Sequence, residues 1–300
     1  MKTGIVILNY NDYETTLKCL QPILDYKNID YIIVVDNCST NDSYDQLAKH
    51  RNDRWVLLRS PSNGGYAKGN NIGINYLLKN YNVDVIGIVN PDIYFSDEFA
   101  GKIKKLFIKY PDYGIITGVQ HDIYGNISKR AFWRELDFGQ AIISMFSSFS
   151  KIQEMLKGNF VVNTLKDRKS LIEVPTVEGC LFFADVASWI QIHGFDENTF
   201  LFMEEDILTK KIHRVHKKIG VCPSIEFTHA HSTSINKAIS YFKKMEVMYD
   251  SRRYFIKEYI SKNIFVNFLF NVFVYLSWVE QIVLVYPYLK LKKVKNLFYG

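Results

Sequence analysis

Several signatures of common protein classes are missing from this sequence of 300 residues. Its four cysteines are scattered and include no CxxC pair, which excludes a zinc ribbon and a disulfide scaffold and predicts a reducing, cytoplasmic environment. The first apolar run, Ile5–Leu8, ends at Asn9 and is too short for the apolar region of a signal peptide. It leads into Asn9-Tyr10-Asn11 rather than a GxGxxG motif, which weighs against a dinucleotide dehydrogenase.

The composition is that of a folded chain, with 48% hydrophobic, 15% aromatic and 23% charged residues. The length allows one large domain, or one domain with a sizeable appendage. Positive charge is concentrated at the C-terminal end, because residues 237–300 carry a net +7 and residues 1–236 a net −1. We therefore predict no nucleic-acid partner for the body of the protein.

Short apolar runs alternate with amphipathic stretches through the first 120 residues. Strands are predicted at residues 4–8, 31–35, 55–58, 85–89 and 113–119, and helices at 13–26, from 65 to about 79, and at 97–109. This alternation predicts a mostly parallel α/β sheet flanked by helices. Ligands of such sheets bind outside the carboxyl ends of the strands, and polar clusters occur at those ends here, at 9–11, 36–42 and 90–92.

Beyond residue 120 the regular alternation is lost. Here we predict a helix at 138–156, a strand at 174–184, a helix from 204 to 218, and two short strands that flank Pro223 and end at His229.

Three polar clusters in the first half each allow a functional and a structural interpretation. Asp36 ends the second predicted strand, where a carboxylate can bind a base or ribose, although the cluster can also cap the next helix. Residues 63–73 contain four glycines and three asparagines at a helix start, which would let backbone approach a phosphate or sugar. Asn90-Pro91-Asp92 ends the fourth strand and offers a carboxylate for a divalent cation, or else forms an ordinary turn.

Two further clusters lie in the second half. Glu204-Glu205-Asp206 opens a predicted helix, where acids are favourable as caps even without a catalytic role. His229 and His231 lie two apart on a predicted strand, so both point to one face and could bind a metal. A structural role for the two histidines is the alternative.

The chain has a long apolar and aromatic segment near its C-terminal end, residues 264–286, followed by a basic cluster at 290–295. Glu280 and Gln281 weigh against a membrane-spanning helix, because burying these polar side chains in the bilayer is costly. An amphipathic helix lying in the membrane surface fits better, with a buried core helix or a homo-oligomer interface as the alternative.

Taken together, these clusters resemble the family 2 glycosyltransferases of the GT-A fold, and within them the bacterial rhamnosyltransferase-like group that builds surface polysaccharides. The similarity extends over residues 3–236. The motifs that carry it, in order, are Ile7-Leu8-Asn9-Tyr10-Asn11, Val34-Val35-Asp36-Asn37-Cys38-Ser39, residues 63–73, Asn90-Pro91-Asp92, Gly194-Phe195-Asp196-Glu197 and Phe200-Leu201-Phe202-Met203-Glu204-Glu205.

The resemblance implies a GT-A catalytic domain at 1–236, with a nucleotide-sugar-binding half (1–120) and an acceptor-binding half (121–236). The composition of residues 237–300 predicts a helical segment, basic and aromatic, that associates with the membrane. The resemblance also implies an inverting enzyme that uses dTDP-rhamnose or a UDP-hexose, Mg²⁺ or Mn²⁺, and a glycan or lipid-linked acceptor at the inner face of the cell membrane. Nucleotide-sugar contacts are expected at Asn9, Tyr10, Asn11, Asp36, Asn37, Gly65, Gly69, Asn71, Asn90 and Asp92, metal contacts at Asp92 and His229, and catalytic roles at Glu205, Glu204 and Asp206.

The sequence departs from the family pattern at three positions. Asn90 replaces the first metal-site aspartate, Glu205 replaces the catalytic aspartate, and Ile207 replaces a later aspartate. A nucleotidyltransferase, or a non-catalytic sugar-binding or membrane scaffold protein on the same fold, is the alternative function.

Overall fold

The computed structural model describes residues 1–165, 170–230 and 240–291, and its centre is a nine-stranded mixed sheet flanked by helices. The strands are β1 (Thr3–Asn9), β2 (Tyr31–Asp36), β3 (Val56–Arg59), β4 (Val85–Val89), β5 (Ile93–Tyr94), β6 (Tyr113–His121), β7 (Phe132–Trp133), β8 (Ile172–Glu173), β9 (Thr176–Val177), β10 (Leu181–Asp185) and β11 (Lys218–His229). The strand order is β3-β2-β1-β4-β10-β6-β11-β5, with β8 also paired to β11, while β7 and β9 form a separate ribbon.

The helices cover both faces of the sheet and extend beyond one side of it. They are α1 (Tyr13–Ile23), α2 (Ser43–Lys49), α3 (Gly65–Asn80), α4 (Asp97–Lys109), α5 (Phe138–Ile143), α6 (Ser150–Leu165), α7 (Val186–Gln191), α8 (Glu204–Arg214), α9 (Tyr241–Phe255) and α10 (Ile264–Glu280). The single helix predicted at 138–156 is wrong, because a 3₁₀ turn at Ser147–Phe149 separates α5 from α6.

The first four strands are parallel, as predicted, and their carboxyl ends meet at one edge of the sheet. In that register Asn9 lies opposite Asp36, and Ile7 lies opposite Val89. Almost every residue of these strands except those of β3 is buried, which explains why they read as continuous apolar runs.

The second half adds strands of both directions, so the sheet is mixed. β10 runs antiparallel to both of its neighbours, and Leu181 at its start lies opposite Val89 at the end of β4. The predicted strand at 174–184 is therefore wrong as one element, because β9 and β10 are separated by residues 178–180. The two strands predicted around Pro223 are one strand, β11, with an irregularity between Cys222 and Glu226.

The hydrophobic core has one cluster on each face of the sheet. A third cluster joins the start of α8, the acidic segment around Glu204–Asp206, to the C-terminal helices. In the third cluster Met203 and Ile207 of the acidic segment pack with Tyr249, Phe255 and Phe270 from the C-terminal helices. The predicted boundary at residue 236 falls within 231–239, outside the described residues. The third cluster contains residues from both predicted domains, those before and those after residue 236.

The C-terminal helix α10 continues through a π-helical turn at Gln281–Val285 to Leu291, and this length and composition suffice to cross a membrane. The most apolar 18-residue window of this helix has a mean hydropathy of 1.8, and 28% of that window is buried. Glu280 and Gln281 lie on the protein-facing side, where Glu280 accepts hydrogen bonds from the backbone N–H groups of Ser147 (2.9 Å) and Ser148 (2.8 Å). The other sides of the helix carry exposed apolar residues such as Phe265 and Phe268.

Candidate active site

Asp92 and His229 meet at the carboxyl edge of the sheet because β5 pairs with the end of β11. His229 lies opposite Ile93, and the Ala230 N–H donates to the Asp92 carbonyl (2.9 Å). His229 Nε2 then lies 3.4 Å from Asp92 Oδ2, and both side chains are nearly buried. A buried carboxylate beside an imidazole nitrogen is a donor pair that suits a divalent cation.

Asn9 and Asp36 form a buried network beneath the same edge. Asn9 Nδ2 donates to Asp36 Oδ1 (2.9 Å), and the Ser39 N–H donates to Asp36 Oδ2 (3.0 Å). Neither Asn9 nor Asp36 has measurable exposure, whereas Tyr10 and Asn11 are half-buried. The predicted nucleoside contact at Asp36 stays a prediction, and the side chain holds the turn that presents Tyr10 and Asn11.

The segment rich in glycine and asparagine packs inward and connects the two halves of the site. Gly65 has φ +87°, and a Cβ there would lie 1.9 Å from the Phe200 carbonyl oxygen. Gly69 lies against Leu8, and Asn71 bonds to the backbone N–H and carbonyl of Phe195 (3.1 and 3.0 Å). The predicted contacts of Gly65, Gly69 and Asn71 with the nucleotide sugar stay predictions. The contacts observed for these residues are with other parts of the protein and hold the site together.

Asn37 also belongs to this support. Its Nδ2 donates to Asn63 Oδ1 and to the Gly65 carbonyl, both at 3.1 Å. The end of β2 is thereby tied to the start of α3.

The acidic segment is held in an uncommon backbone conformation. Phe202 and Met203 both have positive φ, 73° and 71°, and α8 begins directly after them at Glu204. Such strain in non-glycine residues is typical of functional sites, where the surrounding packing enforces it. Here it turns Glu204 and Glu205 into a cavity that Tyr66, Gly179 and Phe195 also line.

The two glutamates differ in their surroundings. Glu204 is 6% exposed, and its Oε1 has no hydrogen-bond partner among the described residues. Glu205 is half-buried, and its Oε1 accepts a hydrogen bond from the Gly179 N–H (3.2 Å). Glu205 is therefore the more accessible of the pair, and its carboxylate is held in one orientation by the Gly179 N–H.

Burial raises the pKa of both carboxyls, to about 8 for Glu204 and about 7 for Glu205. The negative charge of Glu205 adds to the rise at Glu204, and those of Asp206 and Glu178 add to the rise at Glu205. A carboxylate with a pKa near neutrality is matched to a general base at physiological pH.

Asp206 has contacts that differ from those of the two glutamates. Its Oδ1 accepts a hydrogen bond from Trp133 Nε1 (3.0 Å), and the buried guanidinium of Arg252 lies close enough to interact with its charge. The predicted catalytic contribution of Asp206 stays a prediction, and its contacts are those of a residue that anchors α8.

A turn at residues 178–180 lies between the glutamates and the Asp92–His229 pair. Tyr66 donates its hydroxyl to the Gly179 carbonyl (2.6 Å), and the Asn90 N–H donates to the Cys180 carbonyl (2.8 Å). Glu178 Oε2 lies 4.0 Å from His229 Nδ1. Glu178 was missed in the sequence, because β10 is antiparallel and brings its amino end, not its carboxyl end, to the site.

The structure thus brings Asn90, Asp92, His229 and Glu205 to one edge of the sheet. His231, predicted as a companion of His229, lies outside the described residues.

The family model described as Glycosyl transferase family 2 matches residues 4–174 of the chain. The chain is similar to the low-salt glycan biosynthesis hexosyltransferase Agl10 of Haloferax volcanii, with 25% identity over 227 residues that cover 75% of this chain and 66% of that protein. The chain therefore spans slightly less than two thirds of this relative's length.

Solved structures share the fold at low sequence identity. S. aureus TarS 1-349 in complex with UDP-GlcNAc has a TM-score of 0.53 and 16% identity, covering 86% of this chain and 67% of that one. GalNAc-T7 with UDP, GalNAc and Mn²⁺ has a TM-score of 0.57 and 14% identity, covering 77% of this chain and 44% of that one. These likenesses show the fold alone.

Proposed function

The chain belongs to glycosyltransferase family 2, and we propose that it transfers a sugar from a nucleoside diphosphate sugar to an acceptor hydroxyl with inversion at the anomeric carbon. One observation carries this proposal. A carboxyl with a pKa raised to about 7, Glu205, lies at the same edge of the sheet as the Asp92–His229 pair, and the turn at 178–180 contacts both Glu205 and His229.

Glu205 is the general base in this proposal. It takes the proton of the acceptor hydroxyl while that oxygen bonds to the anomeric carbon, and the bond to the diphosphate oxygen breaks on the opposite face. The Gly179 N–H holds one carboxylate oxygen of Glu205 and so fixes the direction in which the other can accept a proton. Glu204 is the more deeply buried of the two, and burial together with the charge of Glu205 raises its pKa as well.

Asp92 and His229 would hold Mg²⁺ or Mn²⁺. Such a cation supplies positive charge that stabilises the departing diphosphate. The fit rests on the donor chemistry of this pair, an oxygen and a nitrogen 3.4 Å apart in a nearly buried place. The Mn²⁺ in the GalNAc-T7 structure is in keeping with this assignment.

The nucleoside would bind at the open end of β1, where Tyr10 and Asn11 are accessible above the Asn9–Asp36 network. The donor would be dTDP-rhamnose or a UDP-hexose, and the acceptor a glycan or a lipid-linked sugar of cell-surface polysaccharide synthesis. TarS is described with UDP-GlcNAc and Agl10 as a hexosyltransferase of glycan biosynthesis, which supports this class of substrates.

The helix that begins at Ile264 would lie in the inner face of the cell membrane. Its polar residues Glu280 and Gln281 face the protein, so the surface that would meet the membrane is mostly apolar. The lysine-rich sequence that follows supplies attraction to anionic lipids. A second copy of the chain covering this surface is the alternative, and solution mass measurements distinguish the two.

The decisive experiment is a donor screen with the full chain, Mn²⁺ or Mg²⁺, and dTDP-rhamnose or UDP-hexoses. We expect release of the nucleoside diphosphate above the rate of spontaneous hydrolysis. Release of pyrophosphate would instead identify a nucleotidyltransferase, and binding of donors without any turnover would indicate a non-catalytic protein.

A further inference from the structure

A second group of metal-binding side chains lies next to the Asp92–His229 pair. One ligand atom each of Glu178, Cys180 and His229 lie within 4.8 Å of one another. Glu178 Oε2 is 3.9 Å from Cys180 Sγ and 4.0 Å from His229 Nδ1. Small side-chain rotations would bring all three atoms onto one cation.

The chemistry of this group differs from that of the neighbouring carboxylate. A sulfur, an imidazole nitrogen and a carboxylate oxygen together favour Zn²⁺ and related thiophilic ions, whereas Mg²⁺ prefers oxygen alone. Cys180 and His229 are both nearly buried, so a cation held there would be shielded from water.

A buried amide, that of Gln120, lies beside His229. Gln120 is 1% exposed, its Nε2 lies 3.0 Å from His229 Nδ1, and its Oε1 has no hydrogen-bond partner among the described residues. The two ends of an amide differ little in shape, and half a turn about its last bond exchanges them. That turn would place Oε1 beside His229 as a fourth donor.

We propose that Glu178, Cys180 and His229 form a site for a thiophilic divalent cation such as Zn²⁺, with Gln120 Oε1 as the fourth ligand. When the cation binds, the Cys180 thiol loses its proton to the solvent and coordinates the cation as a thiolate. The site shares His229 with Asp92, since Nδ1 faces Glu178 while Nε2 faces Asp92. If the proposed function holds, occupation of the site therefore disturbs the cation that serves the transfer, and Zn²⁺ inhibits the enzyme.

The site itself is tested without any donor sugar, by titrating the reduced full chain with Co²⁺ as a coloured substitute for Zn²⁺. We expect a thiolate-to-cobalt charge-transfer band in the wild type that disappears in Cys180→Ser. Cys222→Ser is the matched control, because Cys222 is also 2% exposed, and it should keep the band. Asp92→Ala should keep it as well, because the sulfur ligand is not on that side of His229.

Circular dichroism spectra of each variant would establish that it is folded, and Cys180→Ala serves if the serine variant is not. A wild type that shows no band, or a band that survives in the Cys180 variants, would overturn the site. Because no donor is present, neither result depends on whether the protein is a transferase.

Competition is tested separately, by nucleoside diphosphate release in the presence of Zn²⁺ and Mn²⁺. Half-inhibition of Cys180→Ser should need at least about 10-fold more Zn²⁺ than the wild type, by analogy with the loss of metal affinity that ligand-supporting changes cause. Equal inhibition of the two proteins would overturn the competition at His229.

Discussion

The chemistry proposed for this protein depends on two adjacent carboxyls that lie in different environments. Glu204 is buried with one oxygen unpartnered, while Glu205 is half-buried and held by the Gly179 N–H. The helix N-terminus where they lie favours negative charge, but burial and mutual repulsion dominate and raise the pKa of both. Both carboxyls are thus shifted towards neutral pH, as the proposed role of Glu205 as a base requires.

Replacing Glu205 by glutamine keeps the shape of the side chain and removes its ability to accept a proton. We expect kcat to fall by roughly 10²–10⁴-fold while the affinity for the donor is kept. Steady-state nucleoside diphosphate release and equilibrium titration with the donor measure the two quantities. Asp206→Asn is the control and should cost less, since Asp206 bonds to Trp133 instead. The assignment would have to move if Glu205→Gln were near wild type.

The pKa of Glu204 also predicts how stability depends on pH. Since the folded state raises this pKa to about 8, the folded protein holds a proton that the unfolded chain releases at lower pH. The stability from this group is therefore fully present below the ordinary pKa of a glutamate and is lost as pH rises through about 8. The free energy of unfolding falls by at most about 1.4 kcal/mol per pH unit from this group.

Glu204→Gln should remove this loss, so its melting temperature should rise relative to wild type as pH increases from 5 to about 8. Glu98→Gln is the control, because the Glu98 side chain is 75% exposed. Parallel melting curves for wild type and Glu204→Gln at all pH values would show that Glu204 titrates normally.

At the scale of elements, the site is built where strand ends meet, and this explains which of its residues could be predicted. Asn9, Asp36 and Asn90 follow apolar runs of parallel strands, so the sequence alone places them at one edge. Glu178 precedes its strand, and its position depends on β10 running antiparallel to β4. That direction is set by packing of distant segments, which one sequence does not display.

Contacts of the loop before α3 could not be predicted for the same reason. The glycines at 64, 65, 69 and 73 suggested close approach of a phosphate or sugar. At Gly65 the close neighbour is instead the Phe200 carbonyl, 135 positions away in the chain.

Gly65→Ala should therefore damage both the fold and the site. The variant would force a side chain into positive φ and place its Cβ on the Phe200 carbonyl, so we expect a loss of stability of about 2–4 kcal/mol and a displaced Glu204–Glu205 pair. Denaturant unfolding and nucleoside diphosphate release measure the two effects. Gly125→Ala isolates the backbone term, because Gly125 has φ +81° with nothing within 4 Å. Similar losses in both variants would mean that the Phe200 contact is unimportant.

At the scale of the whole molecule, the C-terminal helix α10 has one side buried against the protein and another side exposed. Phe270 and Val274 of α10 pack into the cluster that includes Met203 and Ile207, while Phe265, Phe268 and Leu276 are exposed. Removing the helix would expose that cluster, so membrane binding is better tested by changing only the exposed face.

Phe268→Asp combined with Leu276→Asp should abolish binding to anionic vesicles and leave the melting temperature within a few degrees of wild type, because both side chains are exposed. Vesicle co-sedimentation and thermal unfolding measure these outcomes. Ile108→Asp on α4 is the matched control, since Ile108 is 68% exposed and Phe268 is 69% exposed. Unchanged vesicle binding together with a shift from dimer to monomer would identify the surface as a contact between two copies.

The contacts beneath the acidic segment also bear on how the protein is made. Ser251 donates its hydroxyl to the Leu201 carbonyl, and Tyr254 and Tyr259 donate theirs to Asp196, so residues translated long after the sheet is complete hold the turn that aims Glu205. Synthesis supplies the N-terminal part of a chain first. A nascent chain released up to His229 therefore contains every strand that the structure describes, but these three hydrogen bonds to the turn before Glu205 form only when residues 251–259 follow. The sheet can therefore form before the residues that fix the orientation of this turn have been translated.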